Sequence, residues 1–123
     1  MVQLTKYIVQ LLHQHDCVII PDFGGFVAQY KPATLDGVTG FYSPPSKQIL
    51  FNINLKNNDG LLTNQIAQDQ DVSFTKATQI IADFVLNVKN QLKEKKTFQF
   101  INLGTLFYEK NALLFKQKSA NFL

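Results

Sequence analysis

The residue types best suited to chemistry lie together at His13-Gln14-His15-Asp16-Cys17. Imidazole, carboxylate and thiolate all ligate zinc, but a structural site needs four such groups converging on one point. Adjacent positions at a helix end point in different directions, and no second cluster elsewhere completes the set. A polar helix terminus is the reading that follows. Cys17 near His15 also pairs a thiol with a base, yet nothing marks an oxyanion hole or an orienting group. Its place on a strand predicts a buried structural thiol. Gly24-Gly25 precedes neither a Lys-Ser/Thr pair nor a helix, so it is no phosphate loop. With no catalytic carboxylate pair in view, the sequence predicts no enzyme, no metal, no cofactor and no small-molecule substrate.

The remaining candidates are for binding. All twelve basic residues are Lys, against nine acids, for a net charge of +3. Without Arg the bidentate contacts that read guanine are missing, so specific DNA recognition is disfavoured and weak phosphate binding is not. Lys89, Lys93 and Lys96 recur on one side of a helix, while Lys110, Lys116 and Lys118 cluster around the last strand. These six are either a solvated face or a phosphate surface. If three to five of them touch phosphates, log K falls with log salt at a slope of roughly −3 to −4.5. Tyr30, Phe41 and Tyr42 sit on or beside an arm with no obvious core, flanked by Pro44-Pro45. They either anchor a protein-binding edge or fold back and are buried.

The elements that position these groups follow from periodicity. Leu4, Ile8, Leu11 and Leu12 form the stripe of a short helix over residues 4–14. A strand is expected at 17–20, a turn or bulge at Pro21-Asp22-Phe23-Gly24-Gly25, and a strand from Phe26 to Lys31. Residues 32–45 hold turn formers and read as a loop or short arm, before a short buried strand at Ile49-Leu50-Phe51. Asn58 or Asp59 is placed to cap a helix over 61–68. Ser73 caps a longer one reaching Lys95, with Phe74, Ala77, Ile81, Phe84, Val88 and Leu92 on one face. That helix is roughly 33 Å long at 1.5 Å per residue. Strands at 97–101 and 105–109, a tight turn at Lys110-Asn111 and a strand at 112–115 complete the chain.

Length and composition agree with one compact domain or two small units sharing a core. The hydrophobic fraction is 46% with eleven Phe and no Trp, and the charged fraction of 17% excludes a disordered polyelectrolyte. No apolar run is long enough to span a bilayer, and the start lacks the features of a signal peptide. A lone cysteine fits a reducing compartment. A soluble, cytoplasmic protein is expected.

The chain also repeats itself. Ile20-Pro21-Asp22-Phe23-Gly24-Gly25-Phe26-Val27 aligns without gaps on Phe100-Ile101-Asn102-Leu103-Gly104-Thr105-Leu106-Phe107 at a shift of 80. Leu4, Ile8 and Leu12 fall on Phe84, Val88 and Leu92 in the same register. Ile49-Leu50-Phe51 echoes Leu113-Leu114-Phe115. Each half reads helix, strand, Gly-centred bend, strand, and a return strand ending in Phe.

The second half resembles the bacterial HU and IHF family: a helix at Leu61, the long helix after Ser73, Phe98-Gln99-Phe100-Ile101, the bend Leu103-Gly104-Thr105-Leu106 and Ala112-Leu113-Leu114-Phe115-Lys116. The first half is similar to an abridged copy, with Phe23-Gly24-Gly25-Phe26 at the bend and Pro45-Ser46-Lys47 on the return strand. With Pro44-Pro45-Ser46, Phe51-Asn52 and Asn58-Asp59-Gly60-Leu61-Leu62, the whole is similar to the tandem prokaryotic HU-like domains. These occur at the amino terminus of some bacterial proteins that end in a peptidoglycan-binding SPOR domain, usually beyond a membrane helix. Related units occur in a eukaryotic coiled-coil protein associated with centrosomes.

The resemblance implies an α+β fold of two HU/IHF-like units, 1–58 and 59–123, forming an intramolecular pseudo-dimer with shortened DNA-binding arms. Gly24, Gly25, Phe26, Gly104 and Leu106 are its structural bend residues. Each unit would give the other the apolar partner that an HU subunit takes from a second chain, and a homodimer of whole chains stays possible. Lys116 aligns with a phosphate-contacting position of the family, although Lys118 stands where its Gly is expected. Lys31-Pro32-Ala33-Thr34 superficially resembles the intercalating tip, but lies so near Gly24 that a plain turn is the expectation. The function implied is a cytoplasmic adaptor module of a division-associated, membrane-tethered parent, contacting a protein or the nucleoid. The alternative is non-specific DNA binding through the lysines of the second unit.

Overall fold

The computed structural model describes residues 3–119 and 121–122; Met1, Val2, Ala120 and Leu123, at the ends of the two expected units, lie outside the described residues. The elements in chain order are α1 (Leu4–Gln14), β1 (Cys17–Ile20), β2 (Gly24–Lys31), β3 (Thr34–Leu35), β4 (Tyr42–Ser43), β5 (Ser46–Asn52), α2 (Leu61–Gln70), α3 (Phe74–Lys95), β6 (Thr97–Phe100), β7 (Gly104–Glu109) and β8 (Ala112–Gln117). Two three-stranded antiparallel sheets have the same plan, β1-β2-β5 and β6-β7-β8.

The 80-residue repeat holds at the level of single backbone bonds. Ile20 pairs with Gly24 and Phe100 with Gly104. Between them Phe23 N–H donates to Ile20 O at 3.1 Å, and Leu103 N–H to Phe100 O at 3.0 Å. Asp22 and Asn102 each take a left-handed φ, +64° and +66°, a region that Asp and Asn enter more readily than other side chains. Gly24 and Gly104 then let the return strand close: a Cβ on Gly104 would lie 2.5 Å from Phe115 Cζ, and one on Gly24 would collide with Phe51 Cζ.

The two units share one core. Phe26 meets Phe100 and Phe115 edge-on, with ring centroids 5.3 Å apart in both cases, and Phe51 at 5.2 Å. Helix α2 packs on both α1 and β1 of the first unit, and β5 lies beside β8. The outer edge of β5 is closed by the second unit. Ile49 N–H donates to Gln117 Oε1 at 2.7 Å, Lys47 N–H to Asn121 Oδ1 at 2.9 Å, and Phe122 N–H to Lys47 O at 2.8 Å. An edge closed in this way is no template for another strand. Buried Lys47 gives its ammonium to Leu12 O at the carboxyl end of α1, where the helix dipole favours a cation.

Several elements differ from expectation. Ser73 caps α3, its Oγ accepting from Lys76 N–H at 3.0 Å, but the buried stripe is Ala77, Ile81, Val85, Val88 and Leu92. Phe74 is half exposed, and Phe84 packs only partly, against Phe98 and Phe100. Gly60, with φ +84°, precedes α2 in place of a capping side chain. Asn58 and Asp59 instead accept from Gly60 N–H and Leu61 N–H, at 2.9 and 3.1 Å. Of the loop or short arm expected at residues 32–45, the structure has the arm. The register of β2 with β5 runs from Gly25↔Asn52 to Lys31↔Ser46 and resumes unchanged as Thr34↔Ser43 and Leu35↔Tyr42. The break coincides with Pro32, Pro44 and Pro45, which have no N–H for a ladder. Beyond its base at Tyr30 the first unit therefore carries a ribbon that reaches roughly 20 Å at 3.3 Å per residue. The second hairpin ends at Lys110-Asn111, both at positive φ.

Candidate binding surfaces

The ribbon tip is a built turn. Asp36 Oδ1 accepts from Val38 N–H at 2.8 Å and Thr39 N–H at 3.2 Å, and Gly40 N–H donates to Asp36 O at 2.8 Å. The Val38 and Thr39 N–H groups hold the Asp36 carboxyl below its ordinary pKa. Around this turn Leu35, Val38, Phe41 and Tyr42 are all exposed, Phe41 at 76% and Val38 at 96%. Leu35 and Tyr42 are direct cross-strand partners. Of the three aromatics singled out in the sequence, Phe41 and Tyr42 thus lie together at the tip. Tyr30 lies at the ribbon's base opposite Lys47, exposed as well. None folds back onto the core. Beyond Lys31 the ribbon carries no lysine before Lys47, and one acid, Asp36.

The six lysines fall on two surfaces. Lys96 and Lys110 face each other across a hollow with Tyr108 and Asn111. Tyr108 also borders a second hollow, with Lys89, Lys56, Leu92 and Leu113. Lys89 and Asp22 continue into a third, beside Leu86 and Ala82. Together these make a trough along α3. Lys93 is exposed one turn from Lys89 on the same helix. Lys116 belongs elsewhere: it pairs with Thr105 and shares the alternation of exposed Leu114, on the sheet face opposite Leu106 and Phe115. Lys118 is held near the bend by its Nζ to Asn102 Oδ1 at 3.0 Å. The apolar and basic lining from Leu86, Ile53 and Lys56 was not singled out in the sequence. Leu86 is 60% exposed and lies off the buried stripe of α3, and that misplaced apolar residue was the available signal.

The groups with possible reactivity do not assemble. Among the described residues no three His, Cys, Asp or Glu side chains are placed to hold a metal ion. Cys17 is half-buried, and desolvation, then the nearby Asp59 charge, push its thiol up from its ordinary pKa. No described helix is long and apolar enough to cross a membrane.

Gly24, Gly25, Phe26, Gly104 and Leu106 are all buried at the two bends. Residues 1–59 match the family model described as CCDC81-like prokaryotic HU domain 1, and residues 60–123 match CCDC81-like prokaryotic HU domain 2. No curated protein and no solved structure matches the chain. The two matches follow one another along the whole chain, as the repeated bends do, and the chain belongs to the CCDC81-like prokaryotic HU domain family, with both domains in tandem.

Proposed function

We propose that this tandem HU-like chain is a non-catalytic adaptor module whose first-unit ribbon docks on a protein. The observation that carries this reading is the tip: four exposed apolar side chains on a turn rigidified by Asp36. Ordered, exposed aromatics lose little entropy on burial at an interface and serve as anchors there. A ribbon that tracks DNA needs cations along its length to offset phosphate charge, and this one has Lys31 at its base and an acid at its tip. The resemblance to tandem domains of SPOR proteins supports a place at the cytoplasmic end of a longer, envelope-linked parent active in division. The alternative, non-specific DNA binding, rests on Lys89, Lys93, Lys96, Lys110, Lys116 and Lys118, which are split between two surfaces.

A photoreactive phenylalanine in place of Phe41, carried by the full-length protein in its own cells, tests the adaptor reading. A discrete protein adduct, lost when Leu35→Asp is added, is the expected result. Adducts to nucleic acid, or none, overturn it.

A further inference from the structure

Asn121 and Phe122, beyond β8, pack against the first unit. Phe122 is buried, its ring stacked on His13 at 4.4 Å between centroids and lying 5.8 Å from Lys47 Nζ. The corresponding positions of the second unit are Lys93 for His13, by the 80-residue shift, and Asn111 for Lys47, each four residues before the Phe of its return strand. On that side of the second unit Asn111 borders an open hollow of about 370 Å³ with Lys96, Tyr108 and Lys110.

The two places also differ in charge. Val9, His13, Asp16 and Tyr30 of the first unit correspond to Lys89, Lys93, Lys96 and Lys110 of the second, and exposed Lys6 corresponds to exposed Leu86. Three of these lysines, Lys89, Lys96 and Lys110, line the trough and Lys93 lies one turn from Lys89, while its floor keeps Leu86, Leu92, Tyr108 and Leu113. Asp22 is the one acid among the described residues that line it.

We infer that this trough binds an acidic protein segment carrying an aromatic side chain. The ring enters the counterpart of the place that Phe122 fills on the first unit, and the segment's carboxylates meet Lys89, Lys93, Lys96 and Lys110. An apolar floor between cations matches such a segment better than a phosphate backbone, which offers nothing to bury against Leu86 or Leu113. This surface is separate from the ribbon, so either proposal can fail alone.

The test is fluorescence anisotropy with a labelled peptide of Glu and Asp residues around a single Phe, against the same peptide with Phe→Ala and with its acids replaced by Lys. The expected result is saturable binding of the first peptide only, weakened by added salt. Lys89→Glu with Lys110→Glu, and separately Leu86→Asp, each weaken it by about tenfold or more. All three side chains are exposed, and an unchanged circular dichroism spectrum shows that the variants are folded. Equal binding of the Ala peptide, insensitivity to these substitutions, no binding at all, or displacement by duplex DNA at lower concentration each overturn the inference.

Discussion

Phe26 of the first unit meets Phe100 of the second edge-on, with ring centroids 5.3 Å apart, and both rings are fully buried. The buried residues of both units form one continuous core. Phe26→Ala is expected to cost about 3–5 kcal/mol and to lower the stability of both units together. Native-state hydrogen exchange checks this: amides of β1 and β6 lose the same protection free energy. Loss confined to the first unit would show that the units fold separately.

The bends give a second expectation. A Cβ at Gly24 meets mainly the Phe51 ring, which can move, whereas one at Gly104 also collides with Lys116 O in the neighbouring strand. Gly104→Ala is therefore more damaging than Gly24→Ala, with overpacking costs of about 1–3 kcal/mol or more. Urea denaturation of the two variants measures the order directly.

Tyr7 is buried and donates its hydroxyl to Asp69, while Gln70 Nε2 donates to Tyr7 Oη at 2.6 Å. The bond to Asp69 is the main cause that raises the Tyr7 pKa. A raised pKa in the folded state means that the stabilisation is complete below the unfolded value of about 10. It is lost as pH rises through the folded value. The stability difference between the protein and Tyr7→Phe is thus flat from neutral pH to about 10 and shrinks above it. A difference that already shrinks between pH 6 and 9 would contradict this assignment.

Cys17 titrates upward because it is partly desolvated and Asp59 lies near. Less thiolate is present near pH 8 than in a free thiol, and alkylation by iodoacetamide is correspondingly slower than for an unstructured cysteine peptide. Asp59→Asn speeds it. A rate equal to the peptide's would show that Cys17 is not shielded.

Much of this was legible in the sequence because it is local. Gly24 and Gly104 sit at equal offsets from helix and strand, and the constraint that requires glycine acts within one hairpin. The ribbon was less visible. Its Pro32, Pro44 and Pro45 are the residues that normally end strands, and the two-residue strands beyond them are too short to show an alternation. Phe74 fits the helical period but is half exposed, since a period says which face is apolar and not how far along the helix the packing reaches. The trough was hidden for another reason. Lys56 and Ile53 reach Lys89 and Leu113 only because the two units pack together, and no spacing along the chain encodes that meeting.

The separation of fold from DNA bending is tested most directly by an anisotropy titration with a random-sequence duplex at about 50 mM salt, a concentration at which surface charges are weakly screened. It is repeated with Lys89, Lys93 and Lys96 changed to Glu. The account predicts no saturable binding at micromolar protein and no effect of the substitutions. Tight binding with a steep salt dependence, abolished in the variant, would contradict it.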